Sequence, residues 1–468
     1  MTNPLYPDPD PAAERRLATA PGEGKLAPDA RRAVIAAWIG TLIEWYDYAL
    51  YGAAAALVIG PLFFPQGDPV NEQIAAFATF AVGFVARPLG GFIISHLGDR
   101  IGRKPAMLLT IILMAVATVV MGLLPTSADI GVWAPVMLVL FRLIQGFGAG
   151  AELAGALTLV SEYTPQSRRG FFIGFVTTGA PGGAFLATLA FTFASMLPGD
   201  VLLAWAWRIP FLISAVLFFV ALWIRNRLEE TPAYAAAVEA REGAARASRV
   251  PLGEVFAKSP RQLLAGFMSV TGHNVVYYVL SAFALGYLTK TVGMPRHEAL
   301  IAVLVASFIA AVIIPFTGMI ADRVSIRRMV MFGGLAGAVL AYPLFLSLQS
   351  GNMWLAMLGM SAAGIFAMGA TSPGTSTFLP NLFPTRYRFT GVAAARELNG
   401  AIVAGPTPMI ATALIAAAGG GIGLVSAFVA VAALLTSASV FVAGTSGEAA
   451  PAEDAEAQRA VEQEVIAG

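Results

Sequence analysis

Glu44 and Asp47 are two carboxylates three residues apart inside an apolar run of membrane-spanning length, from Val34 to Ile59. On a helix that spacing puts them on one face. A charge at bilayer depth costs at least ~2.5 kcal/mol even on the lenient insertion scale, so such groups face a cavity or a partner charge and mark paths for ions, protons or solutes. Two carboxylates this close also disfavour a doubly charged state, which favours one of them holding a proton near neutral pH. The same run carries Tyr48 and Tyr51, which are candidates for contacting a solute.

Further along, Arg142, Gln145 and Glu152 follow a 3–4–3 spacing through position 149 and share a broad helix face. Arg142 supplies a possible countercharge, and Glu152 is either a third transport carboxylate or a protonated helix contact. Asp47, Glu44, Arg142 and Glu152 form the proton-coupling set. Arg396 and Glu397 interrupt another apolar run, but neighbours diverge by about 100° around a helix and cannot face one partner. Arg396 and Asn399 can, and a guanidinium beside an amide suits carboxylate recognition; the alternative is an interhelical ion pair. His273, Asn274, Tyr277 and Tyr278 make a polar-aromatic stripe that could orient a small solute or merely pack. Arg87 opens Arg87-Pro88-Leu89-Gly90-Gly91, where the glycines suggest close helix packing and the guanidinium could reach solute or a carbonyl. The solute-contact set is therefore Arg142, Gln145, Tyr48, Tyr51, Arg87, Asn274, Tyr277, Tyr278, Arg396 and Asn399.

The elements that must position these groups follow from composition. The chain has 468 residues, 57% hydrophobic and only 12% charged, with a mean hydropathy of +0.73. Soluble domains carry about 25% charged residues, so the excess points to lipid. Twelve apolar segments are long enough to cross a ~30 Å hydrocarbon layer as helices: 33–60, 73–97, 105–124, 132–162, 171–196, 204–225, 262–289, 298–321, 329–348, 353–379, 389–416 and 421–443. Of the 29 Lys and Arg, 23 lie in the tails and the even-numbered connections and two in the odd-numbered ones. That alternation predicts a multi-pass membrane protein with both termini in the cytoplasm. Arg208, at the start of the sixth segment, would snorkel to the outer interface.

The polar connection between the sixth and seventh segments divides the chain. The expected layout is a disordered tail at 1–31, a six-helix half at 32–226, a linker at 227–261, a second half at 262–443 and a tail at 444–468. A short basic turn recurs at the same place in both halves, at Gly98–Lys104 and Ala321–Arg328, a sign of internal duplication. There is no cysteine, which excludes disulfides and thiolate chemistry. With few His and no nucleophile motif, an enzyme is disfavoured. No metal and no cofactor is called for, and no nucleic-acid partner is expected.

With those residues in place, the chain resembles the major facilitator superfamily, and within it the metabolite:proton symporter family, which includes shikimate, 2-oxoglutarate, citrate and proline/betaine permeases. The likeness spans about residues 30 to 445 and rests on Glu44–Asp47, Ala86–Gly91, the Asp99 turn, Arg142–Gly146 through Glu152, Glu162 to Gly170, Trp207–Phe211 and Leu228–Pro232. The resemblance implies an all-α protein of a bacterial plasma membrane, with twelve transmembrane helices in two pseudo-symmetric six-helix halves, acting as a monomer by alternating access and driven by the proton gradient. It implies that the first and fourth spans are neighbours, so that Asp47 contacts Arg142 and protonation of Asp47 releases the arginine. It also implies a cytoplasmic gate of Asp99, Arg103, Glu162, Arg169, Glu229 and Asp322. Departures are Ser95 for the usual Gly, Ser325 and Ile326 in the second-half turn, and Asn381 for an acidic residue. The substrate implied is a small polar metabolite, most plausibly a carboxylate, taken up with protons. Gly179–Gly183 partly resembles a drug-antiporter motif, which keeps an exporter as the alternative. The short acidic tail ranks the osmosensing proline/betaine type lower.

Overall fold

The computed structural model describes residues 28–65, 67–101, 103–150, 169–228, 252–321, 323–383 and 388–444. All regular elements among them are helices. The first span runs from Pro28–Ala54 through a π-helical turn, Ala55–Ile59, to Gly60–Phe63. Pro69–Ile101 is the second, Arg103–Leu123 the third and Trp133–Ala149 the fourth. The fifth is Arg169–Thr177 with Gly179–Ala194, and the sixth is Ile209–Leu228. In the other half the seventh span begins as Pro260–Tyr278 and continues through two π turns to Thr291. Arg296–Ala321 and Ile326–Gln349 follow, then Met353–Ala362 with Gly369–Asn381, Arg388–Asn399 with Thr407–Ala417, and Gly423–Ala443. Ten of these helices are long and apolar enough to cross a membrane, and the third and fourth contribute two shorter apolar helices among the described residues. The order is that of the expected twelve.

Helix is the only open choice here, because an unsatisfied backbone amide costs several kcal/mol in hydrocarbon. The same reasoning explains how the breaks are repaired. Pro373 has no N–H for the carbonyl four residues back, and Thr317 Oγ1 of the eighth span donates to that orphan, Gly369 O, at 2.6 Å. In the first π turn, Gln73 Nε2 donates to Ala55 O at 3.1 Å.

Three boundaries differ from expectation. The first helix starts at Pro28, inside the segment assigned to the tail. Part of the expected linker is the helix Leu252–Lys258, and the seventh span opens at Pro260. Asp99 and Arg103 lie in helix, at the end of the second span and the start of the third, where a turn was expected. In each case the helix extends as far as it satisfies its own backbone. The tenth span is helical through Thr371–Ser376, with a π turn at Ala363–Met368.

Small residues let the spans close on one another. A Cβ on Gly183 would strike the backbone of Trp45 and Tyr46, seating the fifth span on the first. One on Gly272 would lie 2.6 Å from Ala433 Cα, which does the same for the seventh and twelfth. The halves meet along the fifth and eighth spans and the second and eleventh. Away from the tails, the first and seventh spans approach so closely that a Cβ on Gly52 would sit 3.1 Å from Ala282 Cβ.

Candidate functional site

Asp47 is 1% exposed. Its Oδ1 accepts from Thr118 Oγ1 at 2.6 Å and its Oδ2 from Gln145 Nε2 at 2.5 Å. Gln145 Nε2 also donates to Thr118 Oγ1 at 2.8 Å, and Gln145 Oε1 accepts from Arg142 Nη1. Both amide protons and the amide oxygen are thus used, and only this orientation of the side chain satisfies all its neighbours. The expected direct contact of Asp47 with Arg142 is corrected to a relay through Gln145. The reason lies in the second span. Arg142 Nε donates to Thr79 O at 3.2 Å and Nη2 to Phe80 O at 2.8 Å, and its guanidinium lies 4.0 Å from the centroid of the Tyr51 ring. Gly83 makes the room, since a Cβ there would sit 2.6 Å from Nη2. Tyr51 donates to Thr79 Oγ1 at 2.6 Å, because the single Thr79 proton goes to Ala76 O at 2.7 Å. Tyr51 therefore walls in Arg142.

A second group crosses between the halves. Arg87 Nε donates to Glu397 Oε2 at 3.0 Å and Nη2 to Glu397 Oε1 at 3.4 Å, while Nη2 stands 3.6 Å from Glu44 Oε1. Tyr48 and Phe84 lie beneath the guanidinium, with centroids at 5.1 and 5.8 Å. The Tyr48 hydroxyl is buried without a hydrogen-bond partner among the described residues. Glu44 and Asp47 share a face as expected, yet they serve separate clusters: Glu44 pairs with Arg87, and Asp47 with Thr118 and Gln145. Glu397 was not among the expected site residues. The signal was present, an acidic group within an apolar run, but pairing Arg396 with Asn399 left it without a role. Thr118 had no distinguishing signal.

Asn399 spends its amide on the seventh span and none of it on Arg396. Its amide donates to Phe267 O at 3.1 Å and Thr271 Oγ1 at 2.8 Å, and its oxygen accepts from Asn274 Nδ2 at 2.7 Å. The two asparagines bolt the eleventh span to the seventh, so a joint Arg396–Asn399 anion clamp is not what this geometry offers. Half-buried Arg396 makes no hydrogen bond or ion pair among the described residues. His273 sits beside it, with Nδ1 at 2.9 Å from Thr371 Oγ1. Tyr277 and Tyr278 pack edge to face at 4.9 Å between centroids; Tyr277 meets Trp45 at 4.9 Å, and Tyr278 meets Phe84 at 5.4 Å. They join the first, second and seventh spans. Glu152, Glu162, Glu229 and Asp322 lie outside the described residues, as do the side chains of Asp99, Arg103 and Arg169.

Buried guanidiniums and carboxylates thus meet at the seam of two helical halves. The family model of the Major Facilitator Superfamily matches residues 37–406. The chain belongs to that superfamily. Among curated relatives, the shikimate transporter of Escherichia coli K12 is 37% identical over 85% of this chain and 91% of its own length. The proline/betaine transporter of Salmonella typhimurium LT2 is 35% identical over 84% and 78%. The xylose transporter XylE from E. coli, in a partially occluded inward-open conformation, superposes with a TM-score of 0.67 at 16% identity, over 89% of this chain and 97% of that one. This superfamily protein is accordingly a multi-pass membrane transporter and not an enzyme. Its Gly179 and Gly183, in the motif that suggested an exporter, pack against Thr41 and the Trp45–Tyr46 backbone.

Proposed function

We propose that this protein takes up a small polar carboxylate together with protons, by alternating access of its two halves, with the tails in the cytoplasm. The observation that carries the reading is Arg396, a half-buried guanidinium in the eleventh span without a hydrogen bond or ion pair among the described residues. Glu397 and Glu44 balance its charge at a distance, which leaves its N–H donors for an anionic solute to take up. Asp47 is the proton carrier: it is buried, hydrogen-bonded by Thr118 and Gln145, and tied to Arg142 through Gln145. Relatives named for shikimate and for proline or betaine all move solutes bearing a carboxylate, which supports the substrate class.

The test is uptake of labelled shikimate, 2-oxoglutarate and benzoate into proteoliposomes containing the full chain. Accumulation under an inward proton gradient, abolished by a protonophore, is expected for at least one acid. Accumulation only when the gradient runs outward would establish the exporter instead.

A further inference from the structure

The Arg87–Glu397 pair has the geometry of a bound substrate. Two nitrogens of one guanidinium edge face two oxygens of one carboxylate, at 3.0 and 3.4 Å, the fork by which arginine recognises a free carboxylate. The partners are 310 residues apart in sequence, on the second and eleventh spans, so the pair joins the halves. It is also lopsided: the Glu397 side chain is 15% exposed, that of Arg87 6%. Glu44, from the same half as Arg87, stands 3.6 Å from Nη2, the nitrogen that also faces Glu397 Oε1. Arg396 lies next to Glu397 in sequence and feels its charge, without a hydrogen bond or ion pair of its own among the described residues. One carboxylate is therefore fixed to Arg87 within its own half. The other comes from across the seam and has a second cation close by.

We infer that Glu397 is an internal stand-in for the substrate carboxylate, occupying Arg87 when the site is empty and giving up that place when substrate enters. This rests on the carboxylate reading above and adds a residue to it. Displacement breaks a contact between halves and replaces it with one that travels with the solute. Binding thereby acquires different affinities for the paired and unpaired arrangements, which is the condition for a ligand to shift a conformational equilibrium. The buried Tyr48 hydroxyl, partnerless among the described residues and beneath the Arg87 guanidinium, is placed to donate to the incoming carboxylate.

The experiment measures binding of shikimate, 2-oxoglutarate and benzoate, with methyl shikimate as the uncharged control, to the full chain in nanodiscs, and uptake in proteoliposomes. Removing the internal competitor with Glu397→Gln should tighten binding of the favoured acid on the order of tenfold, about 1.4 kcal/mol, because the charge-assisted fork that competes with it is lost. Methyl shikimate should not respond, and the maximal uptake rate should fall. Glu397→Asp keeps a carboxylate and should restore most of the wild-type affinity and rate. Should Glu397→Gln not fold, Glu397→Asp still reads the competition, because a shorter carboxylate reaches Arg87 less well and binding of the acid should tighten by a smaller factor. Unchanged or weaker acid binding in Glu397→Gln, or in Glu397→Asp where the first variant does not fold, or a parallel change for the ester, overturns the inference and leaves the carboxylate reading standing. Absence of acid binding in the wild type overturns both.

Discussion

Gln145 stands between Asp47 and Arg142, its amide nitrogen 2.5 Å from the carboxylate and its amide oxygen accepting from the guanidinium. Asp47 receives two donors, Thr118 Oγ1 and Gln145 Nε2. A proton arriving on Oδ1 would face the Thr118 hydroxyl, which can rotate from donor to acceptor, whereas Gln145 is held by Arg142 and cannot reverse. Proton binding would therefore be registered first at Thr118, on the third span, and only through Gln145 at Arg142.

Asp47→Asn imitates the protonated state, with its oxygen accepting from Gln145 and its amide donating to Thr118. The variant should fold, exchange labelled against unlabelled substrate, and fail to accumulate it under an inward proton gradient. Counterflow and gradient-driven uptake, run side by side in proteoliposomes, check this. Normal accumulation would remove Asp47 from the coupling role.

Gln145→Leu breaks the relay while leaving both charges in place. It strands Asp47 Oδ2 and Arg142 Nη1 in a buried setting, at a cost of about 1–3 kcal/mol for each unsatisfied group. Thermal unfolding in detergent should shift downward, and uptake should lose its dependence on the proton gradient before it loses exchange. Stability and coupling both at wild-type levels would mean that Asp47 and Arg142 communicate by another route.

The twelve spans and their order were legible because apolar length is nearly a sufficient condition for a helix in lipid. Asp47, Arg142 and Gln145 were legible for a related reason: charge and amide groups at membrane depth stand out against their surroundings. What sequence could not supply was partnership. Helical spacing put Arg396 with Asn399, yet Asn399 spends its donors on Phe267 O and Thr271 Oγ1. The partner of Arg87 turned out to be Glu397, 310 residues away. Spacing rules reach only along one helix, and these contacts are made between helices. The gate around Asp99 stays an expectation, since its side chains lie outside the described residues.

Arg396 invites a substitution that separates binding from stability. Among the described residues it makes no hydrogen bond or ion pair, so Arg396→Ala should leave the unfolding midpoint near wild type. The same change should raise KM for the acid by tenfold or more, as expected for loss of one charge-assisted contact. Arg396→Lys keeps the charge but not the planar fork and should fall between the two. Initial-rate uptake against concentration gives the answer. An unchanged KM in Arg396→Ala would transfer the anion site to Arg87 alone.

The close approach of the second and fourth spans makes a last, purely mechanical prediction. A Cβ on Gly146 would collide with the Gly83 carbonyl oxygen and lie 2.7 Å from its carbon. Backbone cannot yield as a flexible side chain can, so Gly146→Ala must push the spans apart, for about 1–3 kcal/mol of overpacking. The same displacement draws Phe80 O and Thr79 O away from Arg142, which sits one turn before Gly146 and depends on both. Uptake should therefore fall together with stability. Gly40, in the first span, has nothing within 4 Å of a built Cβ. There Gly40→Ala should be neutral or gain up to about 1 kcal/mol from helix propensity. Unfolding midpoints of the two variants in one detergent make the comparison, and equal midpoints would show that the second and fourth spans are not seated glycine against glycine.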